Sequence, residues 1–333
     1  MKLSHTFSKS FDILKKRKGL VIPVLVSVLL PLIIVTAFIM SSGFTDFAAE
    51  MARLTNDYDS IRQDQLMQTN ISDTGEILSA MEFLGKSDGY EEGLWAYAIE
   101  QGIDPQALLT LLSMQNLALL FSFIALWIVL GWYVSSAIHG ATSLAVRGRP
   151  VTFSSVTAIA ALFLLRLLAL SILTALIFLV PIVIVVLIGF LLFTTVPIVG
   201  VLFSLIAALA IFAYLVFLGV LLIFAPAIMY IDDVSATVAI RRSFRIAKRN
   251  LGKAFLIMIV VWSISWVAGQ FINTPLGEVY WDMLFPEASF HIIFSMPIFL
   301  VLVVLQAVIF AYINLFMFQA YADIKMDEKA KKR

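Results

Sequence analysis

Long stretches of the chain carry no charge, and between them lie short segments dense either in Lys and Arg or in Asp and Glu. An α-helix needs about 20 apolar residues to cross the hydrocarbon core of a bilayer. Residues 20–40 meet that length directly after Lys15, Lys16, Arg17 and Lys18, and residues 117–139 meet it again. Between Leu167 and Tyr230 no charge occurs, which is room for two spans. The break falls at Phe193-Thr194-Thr195-Val196-Pro197, where hydroxyls and a proline interrupt the apolar run, giving spans at 167–192 and 197–225. Residues 254–271 and 292–318 complete the set. The pattern predicts an all-α fold: a polytopic membrane domain over 1–333 with six transmembrane helices.

Composition agrees. The chain is 61% hydrophobic and 14% charged, against roughly 25% charged residues in a soluble globular domain. Its mean hydropathy is +0.99. The first apolar run follows basic residues but is too long for a signal peptide and ends in no small-residue cleavage site, so it reads as a retained span.

The charges give an orientation. Of the 23 Lys and Arg, only Arg53, Arg62 and Lys86 fall on the opposite side from the rest. Most of the 22 acidic residues share that side with them, including Asp46, Asp57, Glu91, Glu92, Asp104, Glu278 and Asp282. Positive residues stay on the cytoplasmic face. The expectation is a multi-pass protein of the cell membrane with both termini in the cytoplasm.

Two basic segments share a pattern. Ser10-Phe11-Asp12-Ile13-Leu14-Lys15-Lys16 and Ser243-Phe244-Arg245-Ile246-Ala247-Lys248-Arg249 both read Ser-Phe-x-Ile-x-Lys-basic, each just before a span. Leu3, Phe7, Phe11 and Leu14 line one helical face of the first, and Ile240, Phe244, Ala247 and Leu251 one face of the second. Such helices lie in the plane of the leaflet, apolar side down and cations toward lipid phosphates. The expected contacts with anionic headgroups are Lys15, Lys16, Arg17, Arg241, Arg242, Arg245, Lys248 and Arg249. A third, weaker helix of this kind, 153–166, precedes the third span and ends at Arg166, which is expected at the inner surface; the alternative is a span that begins near Val156 and carries Arg166 inside the bilayer. The organisation expected is three copies of one unit, an interfacial helix followed by a membrane hairpin.

The insertion at 41–113 is acidic and helical in pattern, and is expected outside the cell. Phe44, Phe47, Met51, Leu54, Tyr58 and Ile61 recur in threes and fours. A short helix is expected at 74–84, and another starts at Asp104 and Pro105, which suit N-cap and first-turn positions. The insertion reads as a solvated face; the alternative is a dock for a cationic protein partner or divalent ions. Asn70-Ile71-Ser72 is a glycosylation sequon on that side, and Tyr280, Trp281 and Phe285 suit an outer interfacial anchor.

Candidate chemistry is sparse. Cys is absent and His5, His139 and His291 are dispersed, so no metal or cofactor is expected. No nucleic-acid partner is expected either. No Asp or Glu occurs within a span, which argues against an enzyme or a proton-coupled transporter built on membrane carboxylates. Ser263, Ser265 and Gln270 on the fifth span, with Gln306 and Asn314 on the sixth, are the residues from which an intramembrane polar pocket would be built. Gly200, Ser204 and Ala208 form a small-residue stripe suited to close helix contact, and Pro181 and Pro297 are expected to kink their spans.

The run Phe224-Ala225-Pro226-Ala227-Ile228-Met229-Tyr230-Ile231-Asp232-Asp233, followed by Ala239-Ile240-Arg241-Arg242-Ser243-Phe244-Arg245, resembles the membrane domain associated with glycerophosphodiester phosphodiesterases. It is also similar to related six-span integral membrane proteins of bacteria and archaea. Gly148-Arg149-Pro150-Val151-Thr152-Phe153-Ser154 is similar to their second basic connection. The hydrolase barrel of that family is absent here, so the resemblance implies a membrane domain without phosphodiesterase activity. The function expected is non-enzymatic: binding or organising lipid or partner proteins through basic interfacial helices. The alternative is a transporter or channel for a lipid or amphiphilic solute.

Overall fold

Where the apolar runs meet charge or proline, the helices begin and end. The computed structural model describes residues 3–41, 53–54, 57–58, 60, 114–276 and 289–330. Its helices are α1 (Leu3–Lys16), α2 (Val21–Ser41), α3 (Met114–Val146), α4 (Phe153–Thr195), α5 (Pro197–Leu222), α6 (Ala225–Asp232), α7 (Ala236–Arg249), α8 (Leu251–Ala268) and α9 (Ser289–Ala330). A 3-10 turn, Lys18–Leu20, joins α1 to α2, and a π turn, Gly269–Asn273, follows α8. No strand occurs among the described residues.

Among the described residues, six helices are long and apolar enough to cross a membrane: Lys18–Phe38, Leu117–Val146, Phe153–Thr195, Pro197–Asp232, Leu251–Leu276 and Pro297–Glu328. The protein is an all-α polytopic membrane protein. The last two run further toward the C-terminus than the apolar pattern alone suggests, because Thr274 and Asp323 are carried inside continuous helix.

The chain divides into two units: Met1–Leu30, Ile128–Gly277 and Phe299–Arg333 form the first, and Pro31–Trp127 with Glu278–Ile298 the second. In the second, Phe38 and Phe123 meet edge-on at 5.9 Å, Leu54 is buried, and Arg53 pairs with Asp57 at 3.9 Å one helical turn away. The helices expected at 74–84 and from Asp104, the sequon, and the Tyr280, Trp281 and Phe285 anchor lie outside the described residues.

In the first unit, the hairpin α4–α5 turns on the single residue Val196, with Pro197 opening α5 where its missing N–H costs nothing. Gly200 permits the turn: a Cβ there would lie 2.3 Å from the Phe193 Cα. Within α4, Pro181 has no N–H to offer the Ile177 carbonyl. The Tyr214 hydroxyl of α5 donates to that carbonyl at 2.5 Å, so it keeps a donor in an apolar medium.

The lead-in segments differ from the sequence expectation in one respect. α1 and α7 are separate helices, but 153–166 is continuous with the third span in one 43-residue helix. That helix is about 64 Å long, roughly twice the hydrocarbon thickness, so it exceeds one upright crossing. Nothing between Arg166 and Leu167 breaks a helix, and the start is well capped. The Thr152 hydroxyl accepts from the Ser155 N–H, and the Ser155 hydroxyl from the Thr152 N–H.

The buried faces of α1 and α7 correspond. Thr6, Ser10 and Leu14 are buried on α1; Ala239, Ser243 and Ala247 are buried on α7 at the same spacing. Phe11 of α1 is exposed, while Phe7 packs on Phe316. Each lead-in segment docks on the end of the hairpin before it. α7 lies on α5, where the Ser243 hydroxyl donates to the Leu221 carbonyl at 2.7 Å. The first turns of α4 lie on α3, where the Ser136 hydroxyl donates to the Ala160 carbonyl at 2.9 Å. α1 lies on α9, where Phe7 stacks on Phe316 at 4.5 Å. The three contacts close a cycle.

Candidate functional site

The site grows from α6, two turns buried on almost every side: Phe224, Ala225, Ala227, Ile228, Met229 and Tyr230 are each 2% exposed or less. Pro226 separates it from α5. It ends at Asp233, whose φ of 53° is left-handed, a conformation that Asp tolerates better than most residues. The abrupt stop delivers two adjacent carboxylates to different surroundings.

Asp232, 10% exposed in its side chain, accepts three donors. Lys325 Nζ lies 2.6 Å from Oδ1; Tyr321 Oη at 2.8 Å and Arg242 Nη1 at 3.2 Å share Oδ2. Asp233 is exposed and pairs with Arg166 Nη1 at 2.6 Å. Arg147 Nη2 donates to the carbonyls of Tyr230 and Ile231, the unpaired acceptors at the end of α6. Burial, then Arg149, pulls the Arg147 guanidinium below its ordinary pKa, while Asp233 and Asp232 oppose the shift. It remains charged at physiological pH.

Beneath the turn, Tyr230 stacks on Phe163 at 4.6 Å and lies 5.6 Å from the His139 ring. Its hydroxyl is 2.7 Å from Ser136 Oγ. Ser136 already donates to Ala160, so Tyr230 is the donor in this pair.

A second carboxylate holds α1. Asp323 of α9 is 7% exposed and accepts from Thr6 Oγ1 at 2.8 Å and Gln319 Nε2 at 2.7 Å, with Lys9 Nζ 3.8 Å away. Lys253 pairs with Asp327 at 3.7 Å.

These contacts divide the cations. Lys9, Arg147, Arg166, Arg242, Lys253 and Lys325 have protein partners. Lys15, Lys16, Arg241, Arg245, Lys248 and Arg249 are exposed, and Arg17 is half-buried. These seven side chains make no ion pair or hydrogen bond among the described residues. Of the eight headgroup contacts expected, Arg242 alone is tied to a carboxylate. Sequence reasoning missed Asp232, Asp323, Tyr321 and Thr6. The Asp-Asp pair was visible, but its donors lie up to 93 residues away.

The five pocket residues do not share one environment. Ser263 is exposed and Ser265 half-buried on α8, and Gln270 is exposed in the π turn that follows it. Asn314 donates to the Phe310 carbonyl of its own helix at 2.9 Å. Gln306 is half-buried, and its Oε1 has no partner among the described residues. A cavity of about 370 Å³ lies elsewhere, between α4 and α5, lined by Val186, Gly189, Phe193, Phe203 and Ser204 among others. No group of three or more His, Cys, Asp or Glu suited to a metal occurs among the described residues. The chain matches no known protein-family model, no curated protein and no solved structure.

Proposed function

We propose that this is a non-enzymatic integral membrane protein of the cell membrane that binds anionic lipid headgroups at the inner leaflet, with both termini in the cytoplasm. One observation carries the reading. The cations of α1 and α7 sort into those held by carboxylates and those left exposed, and the exposed ones are Arg241 and Arg245 along α7 and Lys15, Lys16, Lys248 and Arg249 in the last turns of the two helices. Cations there complement the helix dipole, and each one near an anionic surface contributes about 1 kcal/mol. The resemblance to a membrane domain lacking its hydrolase barrel is consistent with a role that involves no reaction.

The test is lipid selectivity of the full chain in nanodiscs of mixed phosphatidylcholine and phosphatidylglycerol. The K15Q/K16Q/R241Q/R245Q/K248Q/R249Q variant is expected to lose the enrichment of phosphatidylglycerol around the protein. Enrichment equal to wild type would refute the proposal. A second reading, a transporter of an amphiphile, draws on the apolar cavity between α4 and α5. It requires that purified protein move lipid between the leaflets of proteoliposomes.

A further inference from the structure

The first turns of α4 are apolar on two opposite faces. Val156, Ala160, Phe163, Leu167 and Leu170 are buried, whereas Ala158, Ala161, Leu162, Leu165 and Ala169 are exposed. Leu162 is 63% exposed and Leu165 74%. A surface of this kind in a membrane protein has hydrocarbon as its natural solvent.

Arg166 stands beside that face. Its guanidinium carbon lies 4.9 Å above the Phe163 ring, which itself rests on Tyr230, and Nη1 is held by Asp233. One face and one corner of the fork are therefore fixed. The side chain stays 40% exposed, and Asp233 is its one recorded acceptor among the described residues. Around the 230–233 turn, Arg147, Arg166, Arg242 and Lys325 gather on Asp232, Asp233 and the carbonyls of Tyr230 and Ile231. An oriented guanidinium in a cation-rich turn, next to an exposed apolar strip, matches a molecule with a phosphate at one end and a hydrocarbon chain at the other.

We propose that Arg166 and the exposed strip at Leu165 form a stoichiometric phospholipid site, with the phosphate on the open edge of Arg166 and an acyl chain running from Leu165 past Ala169. The site goes beyond the proposed function: it lies on α4, not on the basic surfaces of α1 and α7, and holds one lipid rather than attracting many. The Phe163 ring orients the guanidinium, while Asp233 occupies one corner of the fork and does not itself contact the phosphate.

Purified full-length protein in neutral detergent is titrated with dimyristoylphosphatidylglycerol, and bound lipid is counted by native mass spectrometry alongside thermal unfolding. Wild type is expected to retain one lipid. R166Q should weaken that binding about tenfold or more, and L165Q should weaken it with the cation intact. D233N should bind no more weakly than wild type, because it frees a second corner of the fork. The R241Q/R245Q/K248Q/R249Q variant should retain the lipid. Wild-type binding by R166Q or L165Q would overturn the proposal. So would D233N weakening as R166Q does, which would mark the pair as structural only, or equal protection by inorganic phosphate, which would mark a free-anion site. Loss of the retained lipid in the α7 variant but not in R166Q would overturn this site and leave the broader function standing. Should R166Q fail to fold, L165Q decides between the outcomes.

Discussion

Asp232 gathers Lys325, Arg242 and Tyr321 onto one carboxylate that is almost fully covered, so three helices depend on a single side chain. Asp232→Asn keeps the shape but turns one acceptor into a donor facing donors. Charged hydrogen bonds at a covered site contribute about 1.5–3 kcal/mol each, and the partially exposed cations recover part of that from solvent. The variant is expected to lose about 2–3 kcal/mol of stability, read as a lowered unfolding temperature in detergent. Arg249→Gln, on an exposed cation without a partner, should change stability by less than about 0.5 kcal/mol. Equal unfolding temperatures for the two variants would contradict the division of the cations. Arg241, Arg242 and Arg245 follow one another within about a turn of α7, and all three read alike in the sequence. Only the fold shows that Arg242 meets Asp232, because that depends on where α6 stops.

At the level of elements, the apolar runs and the Thr194–Pro197 interruption were legible because each follows from local chemistry. The fusion of 153–166 with the third span was not. Residues on both sides of Arg166 are apolar helix formers, and a cation alone does not end a helix. The burial of Thr6 and Ser10 was also hidden, since neither residue's size or polarity points it inward and only the fold brings Asp323 of α9 to Thr6. The α4–α5 hairpin offers a sharp test. Gly200→Ala places a methyl 2.3 Å from backbone that cannot move aside, so a loss of about 3 kcal/mol or more is expected, with a fall in folded yield. Gly131→Ala, with nothing within 4 Å, should be neutral or slightly stabilising. A well-folded G200A protein with an unchanged unfolding temperature would contradict the close contact at Val196.

Across the whole molecule, the order of basic segments and apolar runs was readable from the sequence, and the way the segments meet was not. α7 sits on α5, the start of α4 on α3, and α1 on α9, so the two ends of the chain belong to one assembly. That closure gathers the exposed cations of α1 and α7, and Arg166 beside the 230–233 turn, within the first unit, as lipid contact by all of them requires. The account therefore rests on which compartment this basic end faces. The native chain contains no Cys, so single cysteines at Ser8 and Lys248, both exposed, give an unambiguous readout. Labelling with a membrane-impermeant maleimide is predicted to leave both sites unmodified in intact cells and to modify both in inverted membrane vesicles. Modification of either cysteine from outside intact cells would contradict the account.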